Sequence, residues 1–172
     1  MNNKYLPSLV TGFGAAVLVS VPWVKTVGCC VIVPLAALYA LMLHIKLNKG
    51  ELPIKTTMAI LFGLMTGLWA AFFSAMFETI ITFFTHSNDF VQGLPGMESM
   101  LRNSKFAPAF SGIFDQMLRI YHSMANDIRS YGFSPIYSFT VLAGNLIVDS
   151  IFGMIGGVLG MIYLNNRSKT IK

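Results

Sequence analysis

Charge is what this chain has least of. Only 11% of its 172 residues are Asp, Glu, Lys or Arg, whereas a soluble globular domain carries about 25%. With 55% hydrophobic residues beside that deficit, disorder, a fibrous repeat and an ordinary soluble enzyme are excluded. An integral membrane protein is what remains. Cysteine is almost absent: Cys29 and Cys30 are the two, and they are adjacent. A disulfide wants Cα atoms about 4.4–6.8 Å apart and facing each other, so neighbouring cysteines make no bridge and say nothing about compartment. A cleaved signal peptide is not expected, because Val19 to Trp23 lacks a small-x-small cleavage pattern. Nor is a lipoprotein site at Cys29, because Lys25 interrupts the apolar run before it and Val31 to Leu43 is more apolar still.

Familiar chemical signatures are missing too. The chain has no phosphate loop, no nucleophile elbow, no His-Glu-x-x-His and no spaced cysteine pair. His44, His86 and His122 fall at different depths, so no haem or zinc site is expected and no metal or cofactor is assigned. These absences argue against an enzyme. The net charge of +5 comes without a basic face or a stacking platform, so nucleic acid is not an expected partner. The lipid bilayer is.

Long apolar runs are plentiful. A hydrocarbon core about 30 Å thick takes roughly 20 residues of helix. Four segments reach that: about Tyr5 to Val24, Thr26 to Ile45, Thr56 to Phe84 and Pro135 to Leu164. Helices are expected over strands because the runs are continuous and not alternating. Ser134-Pro135 suits the start of the last, as N-cap and first helical residue. Pro34 should kink the second. The first two should form a hairpin turning near Pro22 to Thr26. The expected fold class is therefore all-α, a single polytopic membrane domain over residues 1–172 with four transmembrane helices and an amphipathic helix on the extracytoplasmic side.

Orientation follows from Lys and Arg, which stay cytoplasmic in short loops. With the N-terminus inside, Lys4, Lys46, Lys49, Lys55, Arg167, Lys169 and Lys172 are inside. Lys25, Arg102, Lys105, Arg119 and Arg129 are outside, the last four offset by Asp89, Glu98, Asp115 and Asp127. The expected localisation is a bacterial cytoplasmic (inner) membrane, multi-pass, with both termini cytoplasmic.

The outer segment, with helical structure over about 97–132, should be ordered. After Pro108 the apolar residues Phe110, Ile113, Phe114, Met117, Leu118, Tyr121, Met124, Ala125, Ile128 and Tyr131 recur at three- and four-residue steps. Gly132 suits the stop, Asp115 and Arg119 are spaced to pair, and Asp89 to Gly96 reads as a turn-rich connection. The stripe of Phe110, Phe114, Met117, Tyr121 and Met124 either packs over the bundle or docks a partner.

Three further groups of residues raise functional questions. Glu78 and Asp149 are carboxyls inside spans, and Asn145 lies one turn before Asp149. They could be hydrogen-bonding glue, a cation or proton site, or a contact to another subunit. No Lys or Arg lies within the four spans, so an ion pair at Asp149 needs another chain or a loop. Gly63 and Gly67 in the third span, and Gly153, Gly156, Gly157 and Gly160 in the fourth, have the spacing that lets helix backbones approach closely, either within the bundle or between subunits.

The tight first hairpin, the Lys-Gly-Glu-Leu-Pro-Ile-Lys stretch (Lys49 to Lys55), the long helical outer segment and the last span with its basic tail resemble a small bacterial inner-membrane family catalogued as a domain of unknown function, found largely in the Bacteroidetes and relatives. That resemblance implies a four-helix membrane protein and supplies no activity or site residues. The expected function is a non-enzymatic accessory or scaffold subunit that associates with other membrane-protein subunits or with itself. The alternative is a small transporter or channel component using the intramembrane carboxylates.

Overall fold

The computed structural model describes residues 5–48, 52–103 and 107–170. Lys4, Lys49, Gly50, Glu51, Lys105 and Lys172 fall outside these ranges, and the side chain of Phe110 lies outside the described residues. All regular structure among the described residues is helical: α1 (Leu6–Val19), α2 (Pro22–Asn48), α3 (Thr56–Thr85), α4 (Asp89–Arg102), α5 (Ala107–Tyr131) and α6 (Pro135–Thr170).

Among the described residues three stretches are long and apolar enough to cross a membrane: Gly28–Leu47 in α2, Thr56–Thr85 in α3 and Pro135–Arg167 in α6. The first expected span is shorter than its apolar run. α1 has 14 residues, which at 1.5 Å per residue is about 21 Å and short of the hydrocarbon core. The reason is local. The Ser20 amide and hydroxyl both donate to the Ala16 carbonyl, at 3.0 and 2.8 Å, closing α1 one residue before Val21. Pro22 then opens α2 at the first helical position, where its missing N–H costs nothing. The turn therefore lies at Ser20 and Val21, ahead of the expected Pro22 to Thr26. α2 runs on through Pro34.

The second departure is α4. Asp89 to Gly96, expected as a connection, is the first half of a helix. Asn88 caps it by accepting from the Val91 amide at 2.9 Å, and Asp89 sits in the first turn, where the helix dipole favours an acid. Burial of Val91 and Leu94 on one face offsets the poor helix-forming tendency of Gly93, Pro95 and Gly96.

The chain divides into two compact units, Met1–Phe77 with Val141–Lys172, and Glu78–Thr140. In the first, α1 packs antiparallel on α2. Val19 meets Gly28, and Ala15 shares a cluster with Val33 of α2 and Ala70 of α3. α1 also lies against α3, where Gly12 touches Thr66, Trp69 and Ala70 and the Ser8 hydroxyl donates to the Phe62 carbonyl at 3.4 Å. Asn165 ties α6 to the start of α3. Its Oδ1 accepts from the Ile54 amide at 2.8 Å, and its Nδ2 donates to the Ile54 carbonyl at 3.2 Å.

The second unit pairs α4 with α5. The α5 stripe buries Leu118, Met124, Ala125 and Ile128 at helical spacing. Gly132, with φ +69°, ends α5 so close to α3 that a Cβ would come within 2.5 Å of the Phe83 carbonyl oxygen, so glycine is required there on both counts. His86 Nδ1 donates to the Arg129 carbonyl at 3.2 Å, tying the same two helix ends together.

Candidate functional site

The glycines singled out from the sequence come together inside the first unit. A Cβ on Gly63 would overlap the Gly153 carbonyl oxygen, and one on Gly153 would overlap that of Gly63. Gly67 lies in the same way against the Asp149 carbonyl oxygen, and Gly157 against that of Ala59. Gly156 lies on the Pro34 backbone and Gly160 on Leu38. All six are thus spent on seams that join α6 to α3 and α2. Where helices have no hydrophobic drive to associate, close backbone approach supplies the packing. These faces are covered by the chain itself and are not free for another subunit.

Asp149 sits in that seam. It is 6% exposed, and among the described residues no hydrogen bond or ion pair holds its carboxyl. Asn145, one turn earlier, is half-buried. From α2 the Cys29 thiol is a neighbour of the Asp149 carboxyl. Cys29 and Cys30 are free thiols with sulfurs 3.5 Å apart.

Glu78 belongs to the other unit, so the expected grouping of Glu78, Asn145 and Asp149 divides between the two. There the Tyr137 hydroxyl donates to Glu78 Oε1 at 2.5 Å, a short charge-assisted bond. Thr79 and Ser138 are hydroxyl neighbours at 3.5 Å one residue further along each helix. The Phe90 ring stands between Tyr121 and Tyr137, with centroids 5.7 and 5.4 Å away. Sequence reasoning missed Tyr137, which is 59 residues from its partner. The available signal was a tyrosine one turn into a span that faces a lone glutamate.

The stripe expected to dock a partner is turned inward over much of its length. Met124 is 4% exposed, Tyr121 packs edge-on against Phe90, and Phe114 and Met117 are half-buried. The polar face makes its contacts across α4 and α5. Glu98 accepts from Arg102 Nε at 3.0 Å and meets His122 Nε2 at 3.2 Å. The Arg102 hydrogen bond, helped by His122, holds the Glu98 carboxyl below the usual glutamate range. Glu98 with Arg102 is thus the ion pair four residues apart, in place of the expected Asp115 with Arg119, between which no bond forms.

The histidines do separate jobs. His44 is buried with its ring 4.4 Å from that of Phe62, His86 binds a backbone carbonyl and His122 meets Glu98. Among the described residues no group of three or more His, Cys, Asp or Glu could hold a metal ion.

No family model, curated protein or solved structure matches the chain.

Proposed function

We propose that this protein is a non-enzymatic integral membrane accessory subunit that associates with partner membrane proteins, or with a second copy of itself, through the outward face of α6. The observation that carries this reading is an open notch. Gly144 has no atom within 4 Å of where a Cβ would stand. Ile147, 64% exposed, and Ile151 continue the same face one and two turns on. Six other glycines of the long helices serve internal seams, so a glycine left open among large exposed aliphatics is the position at which another helix can approach closely. The threading that goes with this reading has four membrane passages, the first by α1, whose 14 residues call for a locally thinned bilayer, and both termini on the cytoplasmic side of a bacterial inner membrane. It puts α4 and α5 outside. Arg167 and Lys169 against the acid-balanced outer segment support that polarity.

The test is purification from native membranes in a mild detergent, comparing wild type with Gly144→Leu and, as control, Gly112→Leu. Gly112 is equally open but lies on α5. The reading expects a co-purifying membrane protein, or a dimer, that is lost in Gly144→Leu and kept in Gly112→Leu. A wild type that runs alone as a monomer overturns it, as does a complex indifferent to Gly144→Leu.

A further inference from the structure

Asp149 is a buried carboxyl, 6% exposed, with no hydrogen bond or ion pair to it among the described residues. It lies where α6 and α3 are in backbone contact at Gly67. The titratable groups that face it can be enumerated by helix. α1 carries none between Leu6 and Val19, and α3 none between Thr56 and Phe77. α6 carries no other between Val141 and Ile162. From α2 come the Cys29 thiol, with Cys30 next to it, and Lys25 one turn before Cys29. Lys25 is the cation among them, and no ion pair joins it to the Asp149 carboxyl among the described residues.

A carboxylate buried without a partner is expensive, whereas the neutral acid is far cheaper to bury. Three things could neutralise the charge. No basic side chain, Lys25 included, pairs with the carboxyl among the described residues. A metal ion would need several oxygen ligands, whereas α3 offers a glycine there and no cluster of ligands forms among the described residues. The third is a proton. The residue keeps 6% of its surface exposed, so a proton can be exchanged with the surroundings.

We infer that Asp149 is a proton-binding site set into the helix seam, with the proton as its ligand. Loaded, the neutral acid is compatible with the closed contact at Gly67. Unloaded, the carboxylate needs water or donors, and the nearest way to admit them is to part α6 from α3. The inference does not depend on the association proposed above, since Gly144 and Asp149 lie on different faces of α6.

The experiment is infrared difference spectroscopy of the full chain in phospholipid vesicles between about pH 5 and about pH 9, a range that starts above an ordinary aspartate, which is already ionised there, and includes an ordinary thiol. A carbonyl stretch of a protonated carboxyl should be lost on alkalinisation, should be missing from Asp149→Asn and should persist in Cys29→Ala. An identical difference spectrum in Asp149→Asn overturns the inference, and so does the absence of any pH-dependent carboxyl band. Should Asp149→Asn fail to fold, wild type treated with dicyclohexylcarbodiimide, an apolar reagent for protonated carboxyls, decides the matter by peptide mapping. The adduct is expected on Asp149 with a yield falling at least about tenfold across the range, since the protonated fraction changes about tenfold per pH unit beyond its midpoint. No adduct at Asp149, or a yield independent of pH, overturns it.

Discussion

In the unit formed by Met1–Phe77 and Val141–Lys172, helices meet backbone to backbone. Gly63 abuts Gly153, Gly67 abuts Asp149 and Gly157 abuts Ala59, and among the polar ties are Asn165 to Ile54 and Ser8 to Phe62. In the unit formed by Glu78–Thr140, the ties are side chains: Tyr137 to Glu78, Asn88 to Val91, His86 to Arg129, Arg102 and His122 to Glu98, and Ser134 to Asp127. The difference is the one a change of solvent along the chain would produce. In hydrocarbon an apolar side chain gains nothing by leaving lipid for protein, so close packing of small residues does the work. Where water competes, amphipathic helices bury one face and the remaining polar groups are capped or paired.

The comparison can be broken most easily at Gly67. Gly67→Val must force α3 from α6, because the added carbons meet backbone of Asp149 and Ser150. Overpacking usually costs about 1–3 kcal/mol, and an immovable backbone puts this variant at the top of that range or beyond. Gly144→Ala, with open space around it, should be neutral or stabilising by about 0.5 kcal/mol. Unfolding titrations in mixed micelles measure both, and equal losses would mean that the seam is not where stability resides.

A smaller effect is expected at the hydroxyl that reaches Glu78. Tyr137→Phe keeps the ring against Phe90 and removes one donor to a carboxylate, which should cost about 2 kcal/mol. Hydrogen exchange should register the loss in α4 and α5 and leave α1 and α2 protected. A loss spread evenly over all six helices would contradict the division into two kinds of packing.

The smallest effect concerns Glu98. Its carboxyl is held low in the folded protein, so the pairing stabilises at pH values above the unfolded carboxyl's range, near 4.5. That contribution disappears as pH falls through the lowered value. Because the pair lies at the surface, Glu98→Gln should lower the thermal midpoint only slightly at neutral pH, and the two midpoints should converge as pH falls through the lowered carboxyl value. A gap that widens on acidification would reverse the assigned sign.

How much of this was legible in the sequence differs from element to element. The stretches of α2, α3 and α6 were readable because each is a continuous apolar run of spanning length, and the α5 stripe because Leu118, Met124, Ala125 and Ile128 repeat at helical steps. The end of α1 was obscured because the turn at Ser20 and Val21 has apolar sequence on both sides, leaving Pro22 as the one mark. α4 was hidden by Gly93, Pro95 and Gly96, although Asn88 with Val91 and Leu94 carried a cap and a buried face. At the candidate sites Asp149 was visible as a lone carboxyl, but its burial depends on which glycine lies opposite. The partner of Glu78 is 59 residues away, a pairing that tertiary structure alone creates.

Two exposed arginines serve as markers for α6: Arg119, on α5, precedes its long apolar run in the chain, and Arg167 lies at the end of that run. Single cysteines at these two positions, in a Cys29→Ser, Cys30→Ser background, should react with a membrane-impermeant maleimide from opposite faces of sealed vesicles. Labelling of both from the same face, or a chain that remains dispersed in water without detergent, would contradict the claim that α6 crosses hydrocarbon.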